Sequence, residues 1–257
     1  MVQWPAEAIW EAASPQLAGF TVEVLPEIDS SNTELMRRAR AGRTEPVLLV
    51  AEHQTAGRGR LGRGWQSAPG DSLTFSLALP LAPADWGGLS LAVGVSVADS
   101  LHPAIRLKWP NDLWLDDRKL GGILIETASF GEAGASRYAV IGIGLNIAPR
   151  SAEGLAIPPA ALRELLPDID AGTALLRIAA PLVATVQAFE QFGFAPFQAR
   201  FGARDALRDR PVTLSDGTEG TAHGVGDDGS LLVHTAAGMQ TVRSAEVSVR
   251  PAPAAGA

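Results

Sequence analysis

The 257-residue sequence contains no cysteine, one tyrosine and only four histidines. The lack of thiols excludes disulfide bonds, thiolate metal sites and a cysteine nucleophile. The histidines show no spacing typical of metal ligands, and they stand at His53, His102, His223 and His234. Any catalysis by this chain must therefore depend on other side chains.

Basic residues are also in the minority, because 21 of them face 28 acidic residues for a formal net charge of −7. This balance disfavours general binding to nucleic acid or to an anionic membrane. The first residues, MVQWPAEAIWEAASP, lack the basic segment and apolar run of a secretory signal. We find no apolar run approaching the roughly 20 residues that a membrane-spanning helix needs. We therefore expect a cytoplasmic globular protein.

Helix-like and strand-like patterns alternate through the first two hundred residues. Alternating or continuous apolar residues predict strands at 20–28, 45–54, 71–79, 105–115, 119–127 and 138–147. Helical spacing occupies 30–42, 86–104 and 172–204, the last with a break at 193–196. Short strands separated by turn-forming clusters follow from residue 210, which predicts a small all-β module. We expect a catalytic domain at 1–206, a β-barrel at 207–251 and a disordered tail at 252–257.

Residues 57–65, GRGRLGRGW, place three arginines and four glycines together in this acidic chain. Arginine offers paired donors to phosphate or carboxylate, and glycine lets the backbone approach a ligand. The first six residues match the dinucleotide motif G-x-G-x-x-G, but no helix and no suitably placed acidic residue follow. A P-loop fails because Arg63 and Gly64 stand where Lys-Ser/Thr is needed. We expect a loop that an anionic ligand orders; a plain solvated loop is the alternative.

A second motif, KWPND, leads into KLGGILIE within residues 108–126. Pro110 interrupts strand pairing, so Asn111 and Asp112 fall in a turn where they could reach a nucleotide or magnesium. An ordinary turn capped by these two side chains is the commoner alternative. Lys119 stands at the mouth of a buried strand, where a lysine requires an anionic partner.

Four motifs occur in the order GRGRLGRGW, KWPND, KLGGILIE and GIGLN. This combination resembles the biotin protein ligases, and the similarity extends from residue 21 to about residue 250. The resemblance implies an α+β fold in which a mixed β-sheet with flanking helices forms the catalytic domain. That fold is of the class II aminoacyl-tRNA synthetase and biotinyl-lipoyl ligase type, followed by a small C-terminal SH3-like β-barrel.

The resemblance also implies a two-step reaction that uses ATP with Mg²⁺ and no tightly bound metal. The biotin carboxylate attacks the α-phosphate of ATP, giving biotinyl-5′-AMP and pyrophosphate. A lysine of a biotin carboxyl carrier protein then attacks this mixed anhydride and releases AMP. Only residues 1–19 precede the first expected strand, so we expect a ligase without a helix-turn-helix DNA-binding domain. We further expect a monomer or a weak homodimer.

Site residues follow from the matched motifs. The resemblance assigns catalysis to Lys119, Arg58 and Arg60. It assigns biotin binding to Ser30, Ser31, Asn32, Gln54, Gly57, Arg58, Gly59, Arg60 and Lys119. It assigns ATP binding to Arg60, Arg63, Trp65, Lys108, Asn111, Asp112 and Asn146, with Asp112 also a ligand for Mg²⁺.

Three alternatives remain open. Ser30 to Asn32 could act only as caps of the helix that follows them. An ATP-dependent lipoate ligase would share the architecture, although lipoate has no ureido ring. A non-catalytic biotin or nucleotide sensor would bind without releasing pyrophosphate, but the presence of Lys119 and both loop arginines disfavours it.

Overall fold

The structure, a computed structural model, describes residues 2–129, 136–150, 159–243 and 249–251. The tail expected at 252–257 lies outside these residues. Seven strands form the larger sheet in the order β1-β2-β3-β7-β6-β5-β4. Their bounds are β1 Thr21–Ile28, β2 Val47–Gln54, β3 Ser72–Leu81, β4 Arg106–Lys108, β5 Asp112–Leu115, β6 Arg118–Ser129 and β7 Arg137–Asn146.

The sheet is mixed. Strands β1 and β2 run parallel, whereas the remaining neighbouring pairs run antiparallel. Each strand lies inside or within two residues of a predicted segment, and Pro110 divides the predicted 105–115 segment into β4 and β5. The expected mixed sheet with flanking helices is therefore confirmed.

Within the described ranges, five α-helices flank the sheet: α1 Ala6–Ala13, α2 Ser31–Arg40, α3 Leu89–Leu101, α4 Ala171–Phe192 and α5 Ala195–Gly202. Successive side chains of a strand point to opposite faces. In β2, Leu48 packs in the larger core formed with α1, α3 and α4, whereas Leu49 packs with Leu35 of α2. The helices thus form layers on both faces of the sheet.

Two helices differ from the sequence expectations. Helix α1 was not anticipated; it lies between Pro5 and Pro15 and buries Ile9 and Ala13. Helix α4 has 22 residues and is apolar enough, by length and composition, to cross a membrane. Our expectation that no run approached this length was therefore wrong. More than half of its most apolar window is buried, against α3 and α1 among other elements, as in the core helix of a soluble protein.

A second, antiparallel sheet of five strands has the order β11-β10-β9-β8-β12. Its strands are β8 Pro211–Leu214, β9 Glu219–Val225, β10 Leu231–Thr235, β11 Gly238–Val242 and β12 Val249–Pro251. This confirms the predicted small all-β module. The module contacts the larger sheet, because Trp109 Nε1 donates a hydrogen bond to the Gly229 carbonyl at 3.1 Å. A Cβ on Gly229 would lie 2.4 Å from Gly88 Cα, so only glycine allows this approach.

Candidate functional site

A cavity of about 160 Å³ is bounded by the start of α2, the 57–65 loop and the strands β4 to β7. Most of the predicted site residues line it. They are Ser30, Ser31, Asn32, Gln54, Arg58, Gly59, Arg60, Arg63, Trp65, Lys108, Asn111, Asp112 and Lys119. Gly57 and Asn146 are the predicted site residues that do not line it, and both lie behind the lining.

One end of the cavity is neutral and rich in hydroxyl and amide groups. The Ser31 backbone N–H and Oγ donate to Gln54 Oε1 at 2.8 and 3.1 Å. Ser76 Oγ lies 2.7 Å from both Ser31 Oγ and Asn32 Oδ1. Ser30 Oγ lies 3.5 Å from the Thr33 N–H at the helix N-cap. Ser30 therefore caps α2 and lines the cavity as well, so the two interpretations of this segment are compatible.

Asn32 occupies its position because the opposite strand carries glycine. A Cβ on Gly142 would lie 2.2 Å from Asn32 Oδ1, so any larger residue would displace this amide. Asn32 Nδ2 donates to the Leu124 carbonyl at 3.1 Å and to Glu126 Oε2 at 3.0 Å. The GIGLN motif thus shapes the floor of the neutral end, a role that glycine spacing alone did not reveal.

The 57–65 loop closes on itself as a narrow hairpin. The Gly59 N–H donates to the Arg63 carbonyl at 2.7 Å, and the Trp65 N–H donates to the Gly57 carbonyl at 2.8 Å. A Cβ on Gly57 would lie 2.3 Å from the Trp65 carbonyl oxygen, which explains the glycine behind the cavity wall. The loop's mobility in the absence of ligand remains a prediction.

Glu126 connects this loop to the neutral end, and the sequence analysis did not assign it. Its Oε1 pairs with the Arg58 guanidinium at 3.1 Å, while its Oε2 accepts from Asn32 Nδ2 at 3.0 Å. Arg58 also lies 3.4 Å from Thr33 Oγ1 on α2. Glu126 is the last residue of the KLGGILIE motif, which is the sequence feature that could have identified it. Its contacts depend on strand pairing that the motif does not show.

The other end of the cavity is cationic. Lys119 Nζ lies 2.7 Å from Asp112 Oδ1, which is the anionic partner that the sequence required. Among the described residues that line the cavity, Asp112 is the one carboxylate. The cations that line it are Arg58, Arg60, Arg63, Lys108 and Lys119. This excess of positive charge suits an anionic ligand.

Burial and neighbouring cations lower the pKa values of Lys108 and Arg60. Burial lowers the pKa of Lys108, and the Asp112 carboxylate partly offsets this effect. The neighbouring charges that lower it further are Lys119, Arg63 and Arg60. Burial likewise lowers the pKa of Arg60. A bound polyanion would relieve this repulsion, so the cluster favours phosphate binding.

The Trp65 indole packs directly on Gly144 of β7, where a Cβ would come within 2.5 Å of the ring. The Arg150 guanidinium lies 5.5 Å from the centre of the same ring. Trp65 Nε1 is buried without a hydrogen-bond partner among the described residues. Because a buried donor without a partner is costly, an acceptor on a ligand would be stabilised there.

Asn146, which we expected on the ATP side, does not line the cavity. Its side chain is 1% exposed, and Nδ2 donates to the Lys119 and Ala160 carbonyls at 3.3 and 2.9 Å. The strand pairing of β6 with β7 turns this amide away from the cavity and under the backbone of Lys119. Its contacts are those of a residue that positions Lys119.

No group of three metal-ligating side chains occurs within the described ranges. Asp112 offers one carboxylate beside the cationic cluster, and Asn111 adds an amide oxygen. Mg²⁺ is commonly held by one or two carboxylates together with substrate phosphates. These residues therefore fit a Mg²⁺ ion that arrives with a nucleotide.

Comparison with known proteins gives consistent matches along the chain. Residues 24–146 match the model of the biotin/lipoate A/B protein ligase family, and residues 209–250 match that of the biotin protein ligase C terminal domain. The Escherichia coli bifunctional ligase/repressor BirA is 37% identical over 92% of this chain and 76% of its own length. The Paracoccus denitrificans biotin–[acetyl-CoA-carboxylase] ligase is 35% identical over 87% of this chain and 98% of its own.

A solved structure gives the same result in three dimensions. The Aquifex aeolicus biotin protein ligase, in complex with biotin and ATP, superposes with a TM-score of 0.76 and 28% sequence identity. The superposition covers 90% of this chain and 99% of that one. The second sheet thereby corresponds to the SH3-like C-terminal module that the sequence analysis expected.

Proposed function

The chain belongs to the biotin/lipoate A/B protein ligase family, and we propose that the cavity described above is its active site. The enzyme is a biotin protein ligase that activates biotin with ATP and transfers it to a carboxylase subunit. The intermediate is biotinyl-5′-AMP, and pyrophosphate and AMP are released in the two steps.

The neutral end of the cavity is the observation that favours biotin over lipoate as the substrate. A ureido ring has two N–H donors and one carbonyl acceptor, so it matches short hydroxyl and amide groups in a confined space. Ser31, Asn32 and Gln54 supply these groups and are held by hydrogen bonds to one another and to Ser76. Lipoate would offer these polar groups fewer hydrogen bonds than a ureido ring does, which disfavours its binding. The names of the relatives support the same choice.

The cationic end would bring two anions together. Lys119 would lie between the biotin carboxylate and the α-phosphate, and Arg58 and Arg60 would cover them from the loop. Neutralising both groups removes their repulsion, and the cations stabilise the negative charge that the α-phosphate oxygens carry in the transition state. Catalysis would come from positioning and charge because no enzyme nucleophile is involved. Binding of the ligand carboxylate would replace Asp112 as the partner of Lys119.

We place the rest of ATP along Arg63, Trp65 and Lys108. Asn111 and Asp112 would contact Mg²⁺ carried on the phosphates, which supplies charge neutralisation when bound. Asn146 would hold the backbone of Lys119 rather than touch the nucleotide.

We further propose that residues 1–206 and 207–251 act as catalytic and C-terminal domains, respectively. The acceptor would be a biotin carboxyl carrier protein of acetyl-CoA carboxylase or a similar carboxylase. The location would be the cytoplasm, and the chain would act as a monomer or a weak homodimer.

The test is biotin-dependent release of pyrophosphate from Mg-ATP by the purified protein, with lipoate as the parallel substrate. Release with biotin alone is expected. Release with lipoate alone would contradict the proposed use of the neutral end, and binding of biotin without release would indicate a sensor. Omission of Mg²⁺ should abolish the reaction, and activity without it would contradict the role of the metal.

A further inference from the structure

A second cavity of about 340 Å³ adjoins the first and has no role in the reaction described so far. Apolar side chains form part of its walls, among them Leu89, Leu91, Trp109 and Ile125. At one end, the Arg137 guanidinium lies 5.7 Å from the centre of the Trp86 ring. The cavity therefore combines apolar side chains with charged and polar groups.

The two cavities share one strip of wall, made of Arg60, Pro110, Asn111, Ile123 and Leu124. Arg60 reaches across this strip, with a guanidinium nitrogen 3.3 Å from Asn111 Oδ1. Because Arg60 belongs to the 57–65 loop, a movement of that loop would open or close a connection between the two cavities across this strip. The second cavity thus adjoins the proposed active site, with Arg60 and Asn111 in the wall between them.

The strip lies between the two functional ends of the active site. Leu124 gives its carbonyl to Asn32 at the neutral end. At the cationic end, Asn111 of the strip immediately precedes Asp112, which pairs with Lys119. If biotin and AMP occupy the two ends as proposed, the acyl carbon that joins them lies beside this strip. The second cavity then leads to the atom that is attacked in the transfer step.

The chemistry of the cavity suits a lysine side chain. The four methylene groups of a lysine side chain pack well against apolar side chains. The nitrogen of the lysine needs polar partners only at the tip. Ser90 Oγ supplies one such group, because it lines the cavity, is buried and has no hydrogen-bond partner among the described residues. The positive charge of Arg60 at the inner end disfavours the ammonium form and favours the neutral amine, which is the nucleophile.

We propose that the second cavity is the passage through which the acceptor lysine of the carrier protein reaches biotinyl-5′-AMP. This inference rests on the proposed function. The lysine loses a proton to water, and its neutral nitrogen attacks the acyl carbon. The C–N amide bond forms while the C–O bond to the phosphate breaks, and AMP leaves with the bonding electron pair. The second proton that the nitrogen gives up also passes to water.

The test narrows the outer part of the passage without touching the first cavity. Thr127 lines the second cavity from an exposed position on β6 and does not line the first. Thr127→Trp should obstruct it, and Thr127→Leu should do so less. Ser129→Trp is the matched control, because this exposed residue lies two positions along the same strand and does not line the passage.

Three measurements separate the two half-reactions. Biotin-dependent exchange of pyrophosphate into ATP reports adenylation. Transfer to a purified biotin carboxyl carrier domain reports use of the lysine, and reaction of the bound adenylate with hydroxylamine reports access by a small nucleophile. For Thr127→Trp we expect normal exchange, normal hydroxylamine trapping and a loss of about tenfold or more in kcat/KM for the carrier. Thr127→Leu should lie between this variant and the wild type, and Ser129→Trp should behave like the wild type.

Two results would contradict the proposal that the second cavity is the passage for the acceptor lysine. Unchanged transfer by Thr127→Trp would mean that the lysine enters elsewhere. A higher KM for ATP or biotin in the exchange assay would mean that the second cavity holds part of a first-step substrate, such as the adenine ring. Failure of the proposed function itself is distinct, because the wild-type protein would then show no biotin-dependent exchange at all.

Discussion

Replacing Lys119 by alanine removes the cation proposed to join the two reacting anions. In the structure its ammonium lies 2.7 Å from Asp112, and its side chain is 45% exposed. An anion about 4 Å from this nitrogen would gain about 4 kcal/mol at an effective dielectric of about 20, and screening by solvent reduces that gain. Loss of one preorganised donor to a developing oxyanion typically costs about 3–4 kcal/mol. We therefore expect adenylation to fall by about 10²–10³.

The assay is biotin-dependent exchange of labelled pyrophosphate into ATP under saturating conditions. Arg118→Ala is the matched control, because it removes a cation one residue away that pairs with Glu164 outside the cavity. Arg118→Ala should retain wild-type exchange. Lys119→Arg keeps the charge and should recover part of the loss. If folded Lys119→Ala exchanged pyrophosphate within about threefold of the wild type, the charge argument for this residue would be refuted.

Three further predictions concern other positions. Arg60→Gly should loosen retention of the intermediate, so that free biotinyl-5′-AMP accumulates in the medium; no increase would count against a closing loop. Glu126→Gln keeps an acceptor for Asn32 but loses the partly exposed ion pair with Arg58, so the KM for biotin should rise about two- to fivefold with kcat unchanged. A changed kcat with a constant KM would contradict this role. Burial raises the pKa of Tyr138 from 10.0 to about 12, so the unfolded chain ionises first as pH rises. From pH 8 to 11 the wild type should lose about 1 kcal/mol more unfolding free energy than Tyr138→Phe, and equal losses would exclude this titration.

The strands and the larger helices followed from the sequence because their apolar periodicity is local. Gly193 and Pro196, for example, predicted a break in the long helical segment. The structure ends α4 at Phe192 and begins α5 at Ala195. The short helix α1 was missed because a stretch of eight residues between two prolines carries too weak a periodic signal. The membrane-length character of α4 was overlooked because Arg177 and Glu190 interrupt its apolar run in sequence.

The sequence by itself determined which chemical groups are available: a loop rich in arginine and glycine, a lysine that needs an anion, and no thiol. These are properties of residue type and close spacing, so they can be identified from the sequence without a structure. Tertiary structure alone decided which groups meet. Glu126 joins Asn32 to Arg58, Asn146 turns under Lys119, and the glycines of β7 admit the side chains above them. Each of these contacts depends on the pairing and facing of strands distant in sequence, which local pattern does not encode.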